Sequence, residues 1–124
     1  MGSERLNNRQ MDMDSKRKSL ICANAALSKK AQNLLILQMN KLGSLADYFI
    51  ICSGRSDRQV KAIAYSIEER MKKQGVLPLG IEGFSEGKWI LLDYNDVIIH
   101  VFYDTIREFY DLEGLWSDAP RVEI

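Results

Sequence analysis

The segment that most constrains the fold is a strongly patterned helix near the middle of the chain, lying between apolar stretches. Ser56 precedes Gln59 by three residues, which is the spacing of a capping box at a helix start. Asp57 adds negative charge to the first turn, where the helix dipole favours it. Gly75 marks the predicted end. An apolar stripe at helical spacing lies between: Val60, Ile63, Ala64, Ile67 and Met71. One face of this helix is therefore expected to be buried against a sheet.

Apolar and β-branched runs on both sides of this helix predict five strands. They cover residues 34–37, 48–52, 77–81, 88–93 and 97–102. Because the helix lies between the second and third strands, it is a crossover, and at least part of the sheet should be parallel or mixed. Pro78 has no donor N–H, which places it at the start of the third strand or on a sheet edge.

The remaining segments complete a sheet flanked by helices. A first helix is predicted from a cap at Ser15 or Ser19 to about Lys30. Asn95 tolerates the left-handed backbone of tight turns, so the fourth and fifth strands should form an antiparallel hairpin. Two short helical turns follow, over residues 106–110 and 111–116. The predicted fold class is α/β, a single domain with a mixed sheet of about five strands flanked by helices.

Composition restricts the classes of function. The 124 residues suit one domain, predicted over residues 15–118, with a flexible tail over 1–14 and a frayed end over 119–124. Seventeen basic residues balance seventeen acidic ones, so direct nucleic-acid binding is not expected. The chain has no apolar run of membrane-spanning length and no secretory signal, which indicates a cytoplasmic protein without membrane contact. Two cysteines are too few for a metal site or a disulfide framework, and no cofactor is expected.

His100 is the residue most suited to general base catalysis, because it is the only histidine in the chain. In the fifth strand it alternates with Ile98 and Phe102 on one face. No serine, cysteine or acid beside it has the spacing of a known nucleophile motif. The favoured interpretation is a half-buried strand histidine with a hydrogen-bond partner.

Two further segments have a functional and a structural interpretation. Asp93 and Asp96 flank the hairpin turn and could bind magnesium, but a spacing of three prevents them from sharing a strand face, which favours hairpin and surface roles. Residues 54–58 could hold an anion at the helix start. They lack the Gly-Lys-Ser/Thr ending of a phosphate loop, and Asp57 already supplies negative charge, so a capping role is favoured.

Large apolar side chains are concentrated near the C-terminus. They are Trp89, Leu91, Tyr94, Phe109, Tyr110, Leu115 and Trp116. A domain of this size can bury only some of them, and Trp and Tyr are the side chains that most often anchor interfaces. Composition leaves core packing and partner binding both open.

Six segments form a more specific pattern, in order and with few gaps, between about Leu20 and Trp116. They are residues 46–54 (ADYFIICSG), 56–64 (SDRQVKAIA), 81–83 (IEG), 89–94 (WILLDY), 96–102 (DVIIHVF) and 107–116 (REFYDLEGLW). This pattern resembles the ribosomal silencing factor family, also called Iojap-like. The resemblance implies a fold distantly related to the nucleotidyl transferases, without their catalytic acids. It also implies a protein that acts by binding, not by catalysis.

The resemblance further implies a partner. Family members bind the large ribosomal subunit through its protein fourteen, obstruct joining of the small subunit and lower translation, notably when nutrients are scarce. Free members form homodimers. Positions matching the family pattern on the hairpin side predict partner contacts, and two C-terminal positions are secondary candidates. These residues are Trp89, Leu92, Asp93, Tyr94 and Asp96, followed by Tyr110 and Trp116.

Two positions depart from the family pattern. Asn95 stands where glycine is common, which the hairpin turn should tolerate, and Gly114 stands where a basic residue is common, which should weaken the last turn.

Two alternative functions remain. Residues 54–56 at the helix start are compatible with a phosphate-binding enzyme resembling a nucleotidyl transferase. The aromatic residues could instead form the interface of a homodimerisation module.

Overall fold

The computed structural model describes residues 13–123 of the chain. The first helix, α1, covers Ser15–Ser28. Its cap is Asp14, whose Oδ1 accepts a hydrogen bond from Lys16 N at 3.1 Å. The predicted cap at Ser15 or Ser19 is wrong, since the Ser19 hydroxyl donates to Lys16 O instead. Most of the tail predicted over residues 1–14 lies outside the described residues.

A five-stranded mixed sheet forms the centre of the domain, as predicted. Its strands are β1 (Gln32–Gln38), β2 (Tyr48–Gly54), β3 (Gly80–Glu82), β4 (Trp89–Asp93) and β5 (Val97–Tyr103). Their order across the sheet is β1-β2-β5-β4-β3. The β2–β5 pair is parallel and the other pairs are antiparallel. The predicted crossover helix, α2 (Asp57–Lys73), follows β2 and makes this parallel pairing possible.

The third strand is shorter than the predicted 77–81. It begins at Gly80 and lies on the sheet edge, as Pro78 indicated. Leu79 N donates to Asp93 O at 2.7 Å, but Leu77 and Leu79 both project into solvent. Pro78 offers no N–H to a neighbouring strand, so regular pairing starts only after it.

The start of α2 follows the predicted capping pattern. Ser56 Oγ accepts a hydrogen bond from Gln59 N at 3.1 Å, and Gln59 Oε1 accepts one from Arg55 N at 2.7 Å. The amide nitrogen of Gln59 also donates to Lys29 O and Lys30 O. These bonds join the end of α1 to the start of α2. The backbone N–H groups of Arg55 and Gln59 therefore already donate to side chains of the cap. An anion bound at this helix start would have to compete for them.

Helices α1 and α2 cover one face of the sheet and enclose the larger core. The buried residues of this core include Cys22, Ile50, Cys52, Ile63, Ile67, Ile90 and Ile99. Each fully buried large aliphatic side chain contributes about 1.5–3 kcal/mol to folding. No helix within residues 13–123 is long and apolar enough to cross a membrane.

The opposite face is covered only in part, by α3 (Asp104–Tyr110), α4 (Leu112–Leu115) and the end of the chain. Here the predicted fraying over residues 119–124 is wrong for most of the segment. Gln38 N donates to Pro120 O at 2.8 Å and Val122 N donates to Ile36 O at 2.9 Å. These bonds satisfy backbone groups on the outer edge of β1, which would otherwise be unpaired. Residue 124 lies outside the described chain.

Asn95 forms the hairpin turn between β4 and β5 with a left-handed backbone, at φ 76°. Its N–H donates to Asp93 Oδ1 at 2.8 Å. Asparagine tolerates this conformation better than other residues with a side chain, which explains how it replaces the more common glycine.

We expect Asn95→Ala to lower the free energy of unfolding by about 1 kcal/mol, because alanine is strained in the left-handed region. Asn95→Gly removes the strain and should leave stability within about 0.5 kcal/mol of the parent. Urea denaturation followed by circular dichroism measures both. Equal stability of the two variants would contradict the assignment of strain to this turn.

Candidate partner-binding face

The partly covered side of the sheet carries a cluster of aromatic side chains, which we call the aromatic face. Alternation along β4 places Trp89, Leu91 and Asp93 on this side, and all three are half-buried. Phe49 joins them from β2, where its ring lies 5.3 Å from that of His100. Tyr110 of α3 and Trp116 after α4 lie at the margin.

Two residues predicted as partner contacts belong to the core instead. Leu92 is 0% exposed and Tyr94 is 3% exposed, and both pack on the side covered by α1 and α2. Burial raises the pKa of the Tyr94 hydroxyl, whose oxygen has no hydrogen-bond partner among the described residues. A partner docking on the folded domain cannot touch either side chain. Strand alternation explains the result, because Leu92 must face away from Trp89 and Asp93.

The two predicted acids are separated by the turn and have different surroundings. Asp93 lies on the aromatic face and stabilises the turn through its bond to Asn95 N. Asp96 accepts a 3.0 Å hydrogen bond from Lys18 Nζ, an ion pair that joins the hairpin to α1. Its charge is thus already paired away from the aromatic face. Within residues 13–123, no group of three or more His, Cys, Asp or Glu side chains is arranged to hold a metal ion.

Trp89 is the best-anchored large side chain of the aromatic face. Its ring lies 4.8 Å from that of Phe102 and 5.1 Å from that of Tyr110. It also lines a shallow depression of about 380 Å³ with Glu82, Gly83 and Leu91. Gly83 has φ 80°, and its Cα lies so close to the Trp89 carbonyl that a Cβ would collide with it. The start of β4 is therefore held closely against this turn.

His100 lies beneath the face and is more buried than predicted, at 5% exposed. Its Nδ1 accepts a 3.1 Å hydrogen bond from Trp89 Nε1, so the predicted hydrogen-bond partner is present. Burial lowers the pKa of His100 to about 4. The imidazole is therefore neutral near pH 7, with its proton on Nε2, an atom that has no partner within residues 13–123.

Both cysteines lie in the larger core, on the side of the sheet opposite to His100, where neither suits nucleophilic catalysis. Cys22 and Cys52 are both fully buried, and burial raises the pKa of each thiol to about 12. Neither thiol is therefore ionised at neutral pH. The hydrogen bond that His100 does make is with an indole N–H, which holds a ring and activates no nucleophile.

Tyr110 and Trp116, the secondary candidates, are at the margin of the face. Tyr110 is 53% exposed, and the Trp116 ring packs edge-on against Phe49 at 4.9 Å. Phe49 was missed altogether, and Leu91 was named only among the large apolar side chains and not as a partner contact. Leu91 shares the period of Trp89 and Asp93, so strand alternation could have found it. Phe49 could not be found that way, since it reaches the face only through the β2–β5 pairing.

A buried arginine holds the C-terminal helices in place. Arg107 donates to the Glu113 carboxylate at 2.9 Å from both Nε and a terminal nitrogen. The other terminal nitrogen donates to Ser53 Oγ at 3.2 Å and Gln32 O at 3.3 Å. This network links α4 to β1 and β2. The turn predicted to be weak at Gly114 is formed as α4, and the bonds of Glu113 help to explain why.

The burial of neutral His100 predicts a pH dependence. Its folded pKa of about 4 lies below its ordinary value of 6.5, so the unfolded chain takes up the proton first. The contribution of neutral His100 to the free energy of unfolding is fully present above pH 6.5. It is lost as the pH falls towards 4, and the loss is on the order of 3 kcal/mol. Denaturant unfolding at several pH values, compared with His100→Gln, isolates this contribution from the carboxylates. Parallel pH curves for the two proteins would contradict it.

Known proteins share both the sequence and this fold. The profile described as ribosomal silencing factor during starvation matches residues 12–124. The ribosomal silencing factor RsfS of Bacillus subtilis is 43% identical over 104 residues, which cover 84% of this chain and 88% of that protein. The chloroplastic protein Iojap of Zea mays is 30% identical over 102 residues, covering 82% of this chain and 44% of that protein. A crystal structure of a Chromobacterium violaceum protein superposes with a TM-score of 0.82, at 37% identity, covering 85% of this chain and 88% of that one. The chain therefore belongs to the ribosomal silencing factor family.

Proposed function

We propose that this chain binds the large ribosomal subunit at its protein fourteen, prevents the small subunit from joining and thereby represses translation. It acts in the cytoplasm, without catalysis and without a cofactor. The observation that carries the proposal is the aromatic face, where Trp89 and Tyr110 form a partly exposed, rigidly supported cluster. The family membership supports the choice of the ribosome as partner.

The composition of the aromatic face suits a basic protein partner. Trp and Tyr are the side chains that most often carry binding energy at interfaces. Beside them lie the carboxylates of Asp93 and Glu82, on neighbouring strands β4 and β3. Acidic groups around an apolar centre favour encounter with a positively charged surface and repel acidic ones. A ribosomal protein is expected to offer such a basic surface.

The proposed mechanism is exclusion by volume. A domain docked on the surface where two subunits meet occupies space that the other subunit needs. Binding then requires only affinity and correct placement, which a rigid face provides. The same face, extended by the exposed Phe109 and Leu115, would also serve a homodimer. Dimerisation and ribosome binding would then compete for one surface.

We expect the purified protein to reduce association of separated ribosomal subunits in a dose-dependent way. Sucrose-gradient sedimentation measures the share of joined ribosomes, and binding to the large subunit alone should account for the effect. The small subunit incubated with the protein serves as a control and should not retain it. Undiminished joining at saturating protein would exclude the proposed function.

Trp89→Ala should weaken binding to large subunits by at least about tenfold, since a central interface tryptophan contributes on the order of 2 kcal/mol or more. Tyr65→Ala is the matched control, because Tyr65 is an aromatic residue 55% exposed on α2, on the other side of the domain. Asp93→Asn keeps an oxygen for the turn and removes only the charge, so it should slow association in low salt. Normal binding by both Trp89→Ala and Asp93→Asn would disprove the site.

A further inference from the structure

The Trp89 indole needs a polar anchor to be held in one orientation. Its apolar neighbours, Phe102 at 4.8 Å and Tyr110 at 5.1 Å, restrict the ring by contact alone. Tyr110 is itself more than half exposed. The ring N–H has one specific bond, to His100 Nδ1 at 3.1 Å. A directional hydrogen bond selects one face and one tilt of the ring, which packing against flat neighbours does less sharply.

His100 is well placed to act as that anchor. It lies on β5, which pairs with β2 on one side and β4 on the other, so its backbone is held from both sides. Its ring stacks on Phe102 with an interplanar angle of 15° and lies 5.3 Å from Phe49. A functional group on a central strand is positioned more firmly than one on a loop. The acceptor nitrogen is thus rigid relative to the sheet.

The fold by itself gains little from an imidazole at this position. The Nε2 atom is buried and has no hydrogen-bond partner within the described residues. A buried, unpaired N–H is unfavourable, whereas a phenyl ring would fill the same space without it. Among residues 13–123, the side chain of His100 makes one hydrogen bond, the one it accepts from Trp89. Because Trp89 is the central residue of the proposed binding face, this bond connects a buried residue to partner recognition.

We propose that His100 is a positioning residue that fixes the Trp89 indole in its binding orientation and touches no partner itself. The proposal rests on the proposed function of the aromatic face. His100 contributes to affinity through Trp89 alone. It acts by limiting the orientations of the indole before the partner arrives, so that less freedom is lost on binding.

The first test compares variants that remove or keep the acceptor. His100→Phe keeps a ring without an acceptor, and His100→Gln supplies an amide oxygen. We expect His100→Phe to weaken binding to large subunits roughly five- to tenfold, and His100→Gln to restore part of that loss. In ¹⁵N-labelled protein, the indole resonance absent from Trp89→Phe belongs to Trp89. It should shift and exchange faster with water in His100→Phe. If His100→Phe does not fold, His100→Leu replaces it.

The second test asks whether His100 acts through Trp89. In a Trp89→Phe background, His100→Phe should have no further effect on binding. An equal loss in both backgrounds would show a general structural role and overturn the proposal, as would an unchanged affinity of His100→Phe in the parent. If the unmodified protein does not bind large subunits, the proposed function is overturned. If the unmodified protein binds normally and His100→Phe binds with the same affinity, only the positioning role is overturned.

Discussion

The parallel pairing of β2 with β5 is the contact on which the rest of the domain depends. Seven register pairs, from Tyr48–Val97 to Gly54–Tyr103, join strands that are separated in the chain by α2, β3 and β4. This pairing puts β5 at the centre of the sheet and leaves β4 and β3 outside it. It also brings Phe49 beside His100. Without it, the sheet would divide into a β3–β4–β5 unit and a separate β1–β2 pair, and an isolated two-stranded pair is only marginally stable in water.

The two faces of the sheet differ in how completely they are covered. The side under α1 and α2 is buried and contains the larger apolar core, including Leu92 and Tyr94. The other side has a smaller core around Leu37, Ile51 and Phe102, since α3 and α4 are too short to cover it. Aromatic surface left partly open in this way is unfavourable in a free monomer, and this is the physical basis of the proposed binding site.

Polar contacts between distant segments hold the aromatic face in shape. Lys18 ties α1 to the hairpin through Asp96, and Arg107 ties α4 to the first two strands. The bond between Trp89 and His100 adds an anchor within the face. Lys18, Arg107 and His100 are all buried, so loss of their partners leaves buried polar groups unsatisfied. The face is therefore supported by the whole domain, although the residues that form it are few.

Local patterns in the sequence were sufficient for the elements and for part of the site. The capping box at Ser56 and Gln59, the apolar stripe of α2 and the turn at Asn95 act over a few residues, so they could be interpreted without knowledge of the fold. They determined that the sheet is mixed and that Trp89 and Asp93 lie on a hairpin. Alternation along β4 also indicated that Leu92 lies on the side opposite to Trp89 and Asp93. The resemblance to the family nevertheless predicted Leu92 as a partner contact.

Only the tertiary structure decided which residues of those elements contact one another and which stay exposed. The pairing of residues 119–122 with β1, the ion pair of Asp96 with Lys18 and the bond from Trp89 to His100 depend on how separate segments of the chain pack together. Burial of Tyr94 likewise depends on the position of α1 and α2 above the hairpin. Such contacts arise from packing, to which many residues contribute at once, and no local spacing encodes them. The sequence by itself determined that a hairpin would carry aromatic and acidic residues, and the packing decided which of them are buried and which lie on the aromatic face.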